Sequence, residues 1–374
     1  MTTLADAAGA TSAAGLLPSA APLQLIDPDG RAGRNPGSLS LPGPQILADL
    51  HRRMVIGRRF DTQATALTKQ GRLAVYPSSR GQDACQVGSV LALREQDWLF
   101  PTYRDTVAII TRGVDPVETL SLLRGDWHCG YDPGQHNVAP QCTPLATNTL
   151  HAVGLAHAAR LKKQDQVALV LLGDGATSEG DTHEALNFAG VWKAPVVFLV
   201  QNNGYAISVP LAKQTAAPTL AAKGIGYGVP SLLIDGNDAA AVYAAVRSGV
   251  ERAAAGEGPT LIEAMTYRIE AHTNADDATR YRASAEVSAW LERDPITRLE
   301  TYLKDSALLD DAAAGRLAAE AEQLAEEVRD SMNAEVRADP AELFEHVYAH
   351  PTAALERQRT ALLAEIAELE EPEA

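Results

Sequence analysis

The sequence has few cysteines, no excess of basic residues and no long apolar run. Its three cysteines, Cys85, Cys129 and Cys142, are too few and too scattered for a disulfide framework or a Cys-x-x-Cys metal site, and they favour a reducing cytoplasm. The formal net charge of −16 argues against nucleic acid and anionic membrane surfaces as partners. No apolar run approaches the ~20 residues that cross a bilayer. These absences predict a soluble, cytoplasmic protein.

The amino terminus also lacks targeting features. Residues 1–45 are rich in Ala, Gly, Pro and Ser, without the basic n-region or the sustained apolar core of a signal peptide. We interpret them as a flexible segment, with an arm for a partner subunit as the alternative. With 374 residues, the chain is long enough for one large or two ordinary domains.

Two short apolar runs are each followed at once by a polar turn. The runs Val167 to Leu172 and Pro195 to Val200 are typical of strands buried on both faces of a parallel sheet. The first is followed by Gly173-Asp-Gly175 and the second by Gln201-Asn-Asn-Gly204. Residues 182–192, between them, carry apolar side chains at helical spacing.

The alternation of strand and helix continues further along the chain. Residues 232–234 and 260–265 have strand character, and residues 239–254 between them have helical character. Such alternation predicts an α/β fold with a parallel sheet.

We expect Asp174 and Asn203 to meet at one edge of this sheet. They are 29 positions apart, about one βαβ repeat of ~30 residues, and doubly wound sheets bind ligands at the carboxyl ends of their strands. A carboxylate and an amide oxygen suit Mg²⁺, which takes its other ligands from water and substrate phosphates. Glycines beside Asp174 let a phosphate approach the backbone, and the following helix offers its N-terminal N–H groups.

Each turn alone has an ordinary structural explanation. Gly-Asp-Gly is commonly a tight turn, and Asn-Asn-Gly after a strand is commonly a hairpin or loop. Their joint occurrence, each directly after a buried strand, favours a ligand site. The segment from Gly173 to Gly180 is neither the Gly-x-Gly-x-x-Gly nicotinamide fingerprint nor a Walker loop.

Four stretches in chain order carry a resemblance to one family. They are Phe100 to Asp105, Thr143 to Asn148, the paired turns described above, and Ala264 to Asp277. The paired turns resemble the thiamine-diphosphate motif. From about Met54 to about Tyr348 the chain resembles the alpha chain of the decarboxylating component of 2-oxoacid dehydrogenase complexes. The resemblance implies the thiamine-diphosphate-binding fold, a doubly wound, mostly parallel sheet flanked by helices.

The resemblance also implies roles for individual residues. Mg²⁺ would be bound by the side chains of Asp174 and Asn203 and by the main-chain carbonyl of Tyr205. The residues implied to contact the cofactor are Tyr103, Arg104, Thr143, Leu145, Gly173, Asp174, Gly175, Ala176, Asn203, Tyr205 and His272.

His272 lies in an aperiodic loop, residues 268–282, where a lone histidine is ordinarily solvent-facing. The resemblance implies instead a catalytic residue that contacts the diphosphate or the reaction intermediate and moves protons with a pKa near neutrality. The loop would be ordered by ion pairs among Arg268, Asp276, Tyr281 and Arg282.

Some positions depart from the pattern of relatives. Gln201 stands where some relatives carry a diphosphate-binding arginine, and Thr273 stands where animal relatives carry a regulatory phosphoserine. Four residues match a potassium site of the branched-chain relatives: Cys142, Pro144, Thr147 and Asn148. Asn148 replaces a glutamine of those relatives, so the resemblance leaves open whether K⁺ is bound.

The resemblance implies partners as well. In this family a separate beta chain binds the pyrimidine half of the cofactor, so we expect an α2β2 heterotetramer that passes an acyl group to a lipoyl-bearing dihydrolipoyl acyltransferase. Residues 46–294 would form the thiamine-diphosphate-binding domain. Residues 295–374, with charged, Ala- and Glu-rich helices, would form a C-terminal helical appendage for subunit packing.

Four stretches favour a 2-oxoacid substrate with a branched chain, such as 2-oxoisovalerate, because they are closer to the branched-chain members of the family: Thr143 to Thr147, Gly204 to Ser208, Asp235 to Asp238 and Glu263 to Ile269. A pyruvate dehydrogenase alpha subunit is the alternative. A non-catalytic regulatory subunit of the same fold is disfavoured, because Asp174, Asn203 and His272 are all present.

Overall fold

A computed structural model of the chain describes residues 16–33, 37–126, 128–334 and 339–370. The chain divides into two compact units, residues 1–329 and residues 330–374. The first unit contains the sheet and the candidate site.

The described part of the first unit contains a sheet of five parallel strands. They are β1 (Trp98–Phe100), β2 (Ala168–Gly173), β3 (Val196–Asn202), β6 (Ser231–Asp235) and β7 (Thr260–Met265), in the spatial order β1-β2-β3-β7-β6. A short antiparallel hairpin, β4 (Tyr205–Ala206) and β5 (Val209–Pro210), follows β3. This architecture confirms the predicted parallel α/β fold.

Helices precede, connect and follow the strands. In chain order they are α1 (Pro44–Lys69), α2 (Asp83–Leu91), α3 (Thr106–Thr111), α4 (Pro116–Arg124), α5 (Pro133–His136), α6 (Thr147–Leu161), α7 (Gly180–Trp192), α8 (Ala239–Ala254), α9 (Ser284–Leu291), α10 (Pro295–Asp305), α11 (Asp311–Asn333) and α12 (Ala353–Glu370).

Alternate residues of the central strands enter two separate apolar cores. In β2, Leu169 and Leu171 join a core with residues of α1, α2 and α8, whereas Val170 and Leu172 join a core with residues of α6 and α7. All four side chains are fully buried. Burial on both faces explains why the sequence of this strand is continuously apolar and does not alternate with polar residues.

Part of the amino-terminal segment is packed, although its composition predicts flexibility up to residue 45. Leu23 exchanges main-chain hydrogen bonds of 3.0 Å with Leu233 and Asp235 of the edge strand β6. The main-chain N–H groups of Leu25 and Ile26 donate to Asp238 Oδ2 at 2.6 and 2.8 Å. The segment covers a sheet edge that would otherwise present unpaired main-chain groups. Its first 15 residues lie outside the described residues.

The first unit also extends beyond the domain boundary predicted at residue 294. Leu299 and Leu303 of α10 are buried in the core that α1 and α2 share. Arg298, on the same helix, pairs with Asp235 at 2.9 Å. The apolar stripe and the buried arginine attach α10 to the α/β core.

The second unit consists of the end of α11, a 3₁₀ turn at Pro340–Phe344 and α12. α12 packs against that turn. None of the helices in the described part of the chain combines the length and apolar character that a bilayer crossing requires.

Candidate functional site

The two predicted turns lie side by side at the carboxyl edge of the sheet. Gly173, the last residue of β2, pairs with Gln201 of β3, so Asp174 and Asn203 follow adjacent strands. The Asn203 main-chain N–H is one of the groups that stabilise the Asp174 carboxylate. The parallel register therefore brings the two predicted metal ligands together.

Asp174 is a buried carboxylate held by neutral groups. Its side chain is 1% exposed, and Gln214 Nε2 donates to its Oδ2 at 2.6 Å. Burial raises the pKa of Asp174, and the hydrogen bond from Gln214 offsets part of that rise. A divalent cation at this position would supply the positive charge that a buried carboxylate requires.

The two glycines beside Asp174 differ in what they contribute. A Cβ on Gly173 would meet nothing within 4 Å, so this backbone faces open space. A Cβ on Gly175 would lie 2.7 Å from Ala206 Cβ, so this glycine makes room for the β4 strand. The residues after Asp174 form a 3₁₀ turn, Gly175–Ser178, before α7 begins. The predicted turn before the helix is therefore present, and α7 begins two residues earlier than the predicted start at residue 182.

Arg104 lies on the loop after β1 and reaches the opposite wall of the site. It is 5% exposed, and its Nη1 donates to the Ser78 carbonyl at 3.0 Å. Its Nη2 lies 3.0 Å from the His272 carbonyl and 3.1 Å from His272 Nδ1. The Arg104 guanidinium also lies beside the Tyr103 ring, 5.6 Å from its centroid.

Two guanidinium groups fix the state of His272. Arg268 Nη1 lies 3.2 Å from the same Nδ1 atom that Arg104 approaches. Because both arginines can only donate, Nδ1 accepts and the ring proton is on Nε2. Burial, Arg104 and Arg268 together lower the pKa of His272 to about 4, against the opposing effect of Asp276. The expectation of a pKa near neutrality is therefore wrong for the chain itself.

The loop over residues 268–282 is ordered mainly by hydrogen bonds, not by the predicted ion pairs. Arg268 Nη2 donates to Tyr281 Oη at 2.9 Å, and the Tyr281 hydroxyl in turn donates to Asp276 Oδ2. Asp276 also accepts from the His272 main-chain N–H at 2.8 Å. Arg282 donates to the main-chain carbonyls of Arg268, Ile269 and Glu270. Because the Arg282 guanidinium donates to three main-chain carbonyls, it holds the backbone of the loop in place directly.

One cavity gathers most of the predicted site residues. Those that line it are Tyr103, Arg104, Leu145, Gly173, Asp174, Gly175, Ala176, Asn203, Tyr205 and His272. In the described structure, Thr143 is exposed and does not line this cavity, although Cys142 and Pro144 do. Three lining residues that the sequence did not assign to the cavity are Gln82, Ile207 and Arg268. Ile207 is two positions after Tyr205 and Arg268 is four positions before His272, so both lie beside predicted site residues, whereas Gln82 is 21 positions before Tyr103 and no motif marks it.

The chemistry of the cavity fits a Mg²⁺-bound diphosphate. Arg104 and Arg268 are buried beside each other, and burial together with Arg104 lowers the pKa of Arg268. Arg268 Nε has no hydrogen-bond partner within the described residues. Crowded, partly unpartnered guanidinium groups fit an anion. In the described residues no cluster of three His, Cys, Asp or Glu side chains could hold a metal, which leaves a mixed carboxylate, amide and carbonyl set as the candidate.

Three of the four residues of the potassium prediction donate side-chain hydrogen bonds in the structure. Asn148 is 4% exposed, and its Nδ2 donates to the Leu171 carbonyl at 2.9 Å. Thr147 Oγ1 donates to Asp181 Oδ2 at 3.3 Å, and Cys142 Sγ donates to the Pro144 carbonyl at 3.1 Å.

Comparison with known proteins places this geometry in context. Residues 51–342 match the family model described as the dehydrogenase E1 component. The 3-methyl-2-oxobutanoate dehydrogenase subunit alpha of Mycobacterium tuberculosis is 47% identical over 347 residues, which cover 92% of this chain and 94% of the relative. The pyruvate dehydrogenase E1 component subunit alpha of Staphylococcus aureus is 41% identical over 288 residues, which cover 76% of this chain and 77% of the relative.

Proposed function

The chain belongs to the dehydrogenase E1 component family, and from that premise we propose that it is the alpha subunit of a branched-chain 2-oxoacid dehydrogenase. Its reaction is the oxidative decarboxylation of a 2-oxoacid with reductive transfer of the acyl group to a lipoyl group. The similarity to the 3-methyl-2-oxobutanoate dehydrogenase subunit alpha over almost the full length of both chains supports this substrate class.

The observation that carries the proposal is the single cavity in which the oxygen ligands and the guanidinium groups face each other. Asp174, Asn203 and the Tyr205 carbonyl would hold Mg²⁺, and Tyr103, Arg104 and His272 would contact the diphosphate. When bound, thiamine diphosphate supplies the electron sink for decarboxylation. Gly173, Gly175, Ala176 and Leu145, which line the cavity, complete the contacts, whereas Thr143 does not line it.

His272 serves this site as a neutral imidazole. Its Nδ1 faces two arginines, so its Nε2–H is the group available to a ligand. We assign it the role of a hydrogen-bond donor to the diphosphate or the reaction intermediate. A pKa of about 4 makes it a poor base within this chain.

The site of this chain is one half of the complete site. Leu145 and Ile207 line the cavity with 44% and 55% of their surfaces exposed. Large apolar side chains exposed at a cavity mouth mark a surface that another molecule covers. A beta chain in an α2β2 heterotetramer would cover this surface. A lipoyl-bearing acyltransferase would receive the acyl group.

Pyruvate is the second candidate substrate, because the 41% identical relatives from Staphylococcus aureus are pyruvate dehydrogenase subunits. One methylene in an apolar pocket discriminates by only ~1–3 kcal/mol, and these two substrates differ by only two carbons, so the fold alone does not separate them.

The test is to co-express the chain with its beta chain and to measure kcat/KM for 2-oxoisovalerate and for pyruvate. We expect the branched substrate to have the higher value. A clear preference for pyruvate would make the pyruvate dehydrogenase assignment the correct one, and no activity with either would support a regulatory subunit. A potassium ion at Thr147 and Asn148 would raise the Tm of the same assembly in KCl relative to NaCl.

A further inference from the structure

We propose that three buried residues, Asp105, Gln201 and Gln82, form a hydrogen-bonded relay that orients the side-chain amide of Asn203. The relay would ensure that Asn203 offers its oxygen, and not its nitrogen, to the cation. This inference rests on the proposed function, in which Asn203 is a ligand of Mg²⁺. It assigns positioning roles to Asp105, Gln201 and Gln82, which do not themselves bind the metal.

The relay is a continuous chain of short contacts. Asn203 Nδ2 donates to Gln82 Oε1 at 3.0 Å, Gln82 Nε2 donates to Gln201 Oε1 at 2.9 Å, and Gln201 Nε2 donates to Asp105 Oδ1 at 2.7 Å. The four residues are between 0% and 6% exposed. Water therefore does not compete for these bonds, and the N–H and C=O groups of each side-chain amide must find their hydrogen-bond partners within the chain.

The direction of the relay is fixed at its Asp105 end. Burial raises the pKa of Asp105, but the hydrogen bonds that Gln201 and Thr102 donate to its carboxylate favour the ionised form. An ionised carboxylate has only acceptor positions, so the group that meets it must donate. Asp105 Oδ2 already accepts from the main-chain N–H and the hydroxyl of Thr102, both at 2.7 Å. Gln201 must therefore turn its nitrogen to Asp105 and its oxygen to Gln82. Gln82 must then turn its nitrogen to Gln201 and its oxygen to Asn203.

The other end of the relay imposes the same orientation independently. The main-chain N–H of Tyr205 donates to Asn203 Oδ1 at 3.2 Å. A flipped Asn203 amide would set its nitrogen against this N–H and its oxygen against Gln82 Oε1. Two donors and two acceptors would then face each other in a buried site, which costs free energy at both contacts. The flipped state is therefore disfavoured from both sides.

The Gln82 side chain does not cap the helix that it precedes. Gln82 is the residue that precedes α2, yet its side chain makes no capping hydrogen bond to that helix. Its amide is used for Gln201 and Asn203, which lie 119 and 121 positions away. Because the nitrogen and the oxygen of its amide both bond to distant side-chain amides, Gln82 orients those amides and does not stabilise the helix.

The experiment uses the assembly of this chain with its beta chain and measures the affinity for Mn²⁺ in the presence of thiamine diphosphate, by calorimetry and by the Mn²⁺ resonance signal. Gln82→Met keeps the length of the side chain but removes both ends of the amide. We expect the affinity for Mn²⁺ to fall about 10–100-fold, the range for partners that orient metal ligands. Gln141→Met is the matched control, because Gln141 is a buried glutamine that donates to the Thr119 carbonyl, outside the relay.

The decisive comparison repeats Gln82→Met in an Asn203→Asp background. A carboxylate presents an oxygen at either end, so the relay has no orientation left to impose, and Gln82→Met should not lower the Mn²⁺ affinity there, because it also removes the contact between Gln82 Oε1 and the new carboxylate. An equal loss in both backgrounds would mean that Gln82 acts through packing, and would overturn the relay alone. An Asn203→Ala variant with wild-type Mn²⁺ affinity would overturn the metal assignment, and the relay with it. The Tm of every variant, measured without metal, separates these outcomes from a loss of folding.

Discussion

Gln214 Nε2 donates a 2.6 Å hydrogen bond to Asp174 Oδ2, and the same nitrogen donates to the Val209 carbonyl at 3.0 Å. One amide thus connects the carboxylate after β2 to the hairpin after β3. The two distances show that the geometry of the predicted metal ligand depends on a residue 40 positions away.

Gln214→Met should weaken the binding of Mn²⁺ with thiamine diphosphate about 10–100-fold, because the Asp174 carboxylate loses the donor that orients it. Asp174→Ala gives the reference for complete loss of the ligand, and its fold should be unaffected because the substitution removes a buried charge and introduces none. Calorimetry on the alpha-beta assembly measures both, with Gln164→Met as the exposed control. Wild-type affinity in Gln214→Met would show that the hairpin holds Asp174 without this bond.

The isolated chain should neither decarboxylate 2-oxoacids nor hold thiamine diphosphate tightly. The reason is that the cavity mouth, with Leu145 and Ile207 exposed, lacks the surface that a beta chain would supply. The measurement is carbon dioxide release from 2-oxoisovalerate by the chain with and without the beta chain. Full activity from the chain alone would contradict the two-chain site.

Thr273→Glu should depress activity sharply, whereas Thr273→Ala should be nearly harmless. A carboxylate next to His272 would lie close to a bound diphosphate, and like charges in a partly desolvated site repel. Within the described residues the Thr273 side chain makes only a weak hydrogen bond, from the Ala275 N–H to its Oγ1 at 3.4 Å. Both variants are assayed with the beta chain, and limited proteolysis of residues 268–282 reports whether the loop stays ordered. If Thr273→Glu keeps wild-type activity and protection, the loop does not cover the diphosphate.

The stability of the chain should depend on pH through His272. Its pKa falls from 6.5 to about 4 on folding, so between these values the unfolded chain binds a proton that the folded chain does not. The free energy of unfolding of the wild type should therefore decrease, relative to His272→Gln, as the pH falls from 6.5 towards 4. Urea denaturation of both proteins across this range measures the difference.

The comparison with His272→Gln removes the contribution of other buried groups. Asp61 titrates in the opposite sense, because burial raises its pKa to about 6, but it is present in both proteins and cancels. A difference in stability that stays constant with pH would show that His272 has the same pKa in the folded and unfolded chain.

Much of the fold could be predicted because its signals are local. The runs before Gly173 and Gln201 are continuously apolar, and a strand buried on both faces requires that pattern. β1 escaped prediction because three residues are too short to establish a period. The packed segment near Leu23 also escaped, because its apolar residues are scattered and gain order only from the edge strand β6.

Some features of the candidate site could likewise be predicted from the sequence, and others could not. Asp174 and Asn203 could be predicted from two turns at βαβ spacing, since parallel pairing brings the ends of neighbouring strands together. The packing role of Gly175 could not, because only the structure shows that a Cβ there would lie 2.7 Å from Ala206 Cβ.

The sequence by itself determined the parallel α/β sheet, the two turns at its carboxyl edge and the residue types that suit a cation and a diphosphate. Only the tertiary structure decided how those residues are held: the relay from Asp105 to Asn203, the bond from Gln214 to Asp174 and the low pKa of His272. Strand formation depends on periods within a few residues. Amide orientation and pKa depend on which distant groups packing brings within hydrogen-bond distance, and no local pattern carries that information.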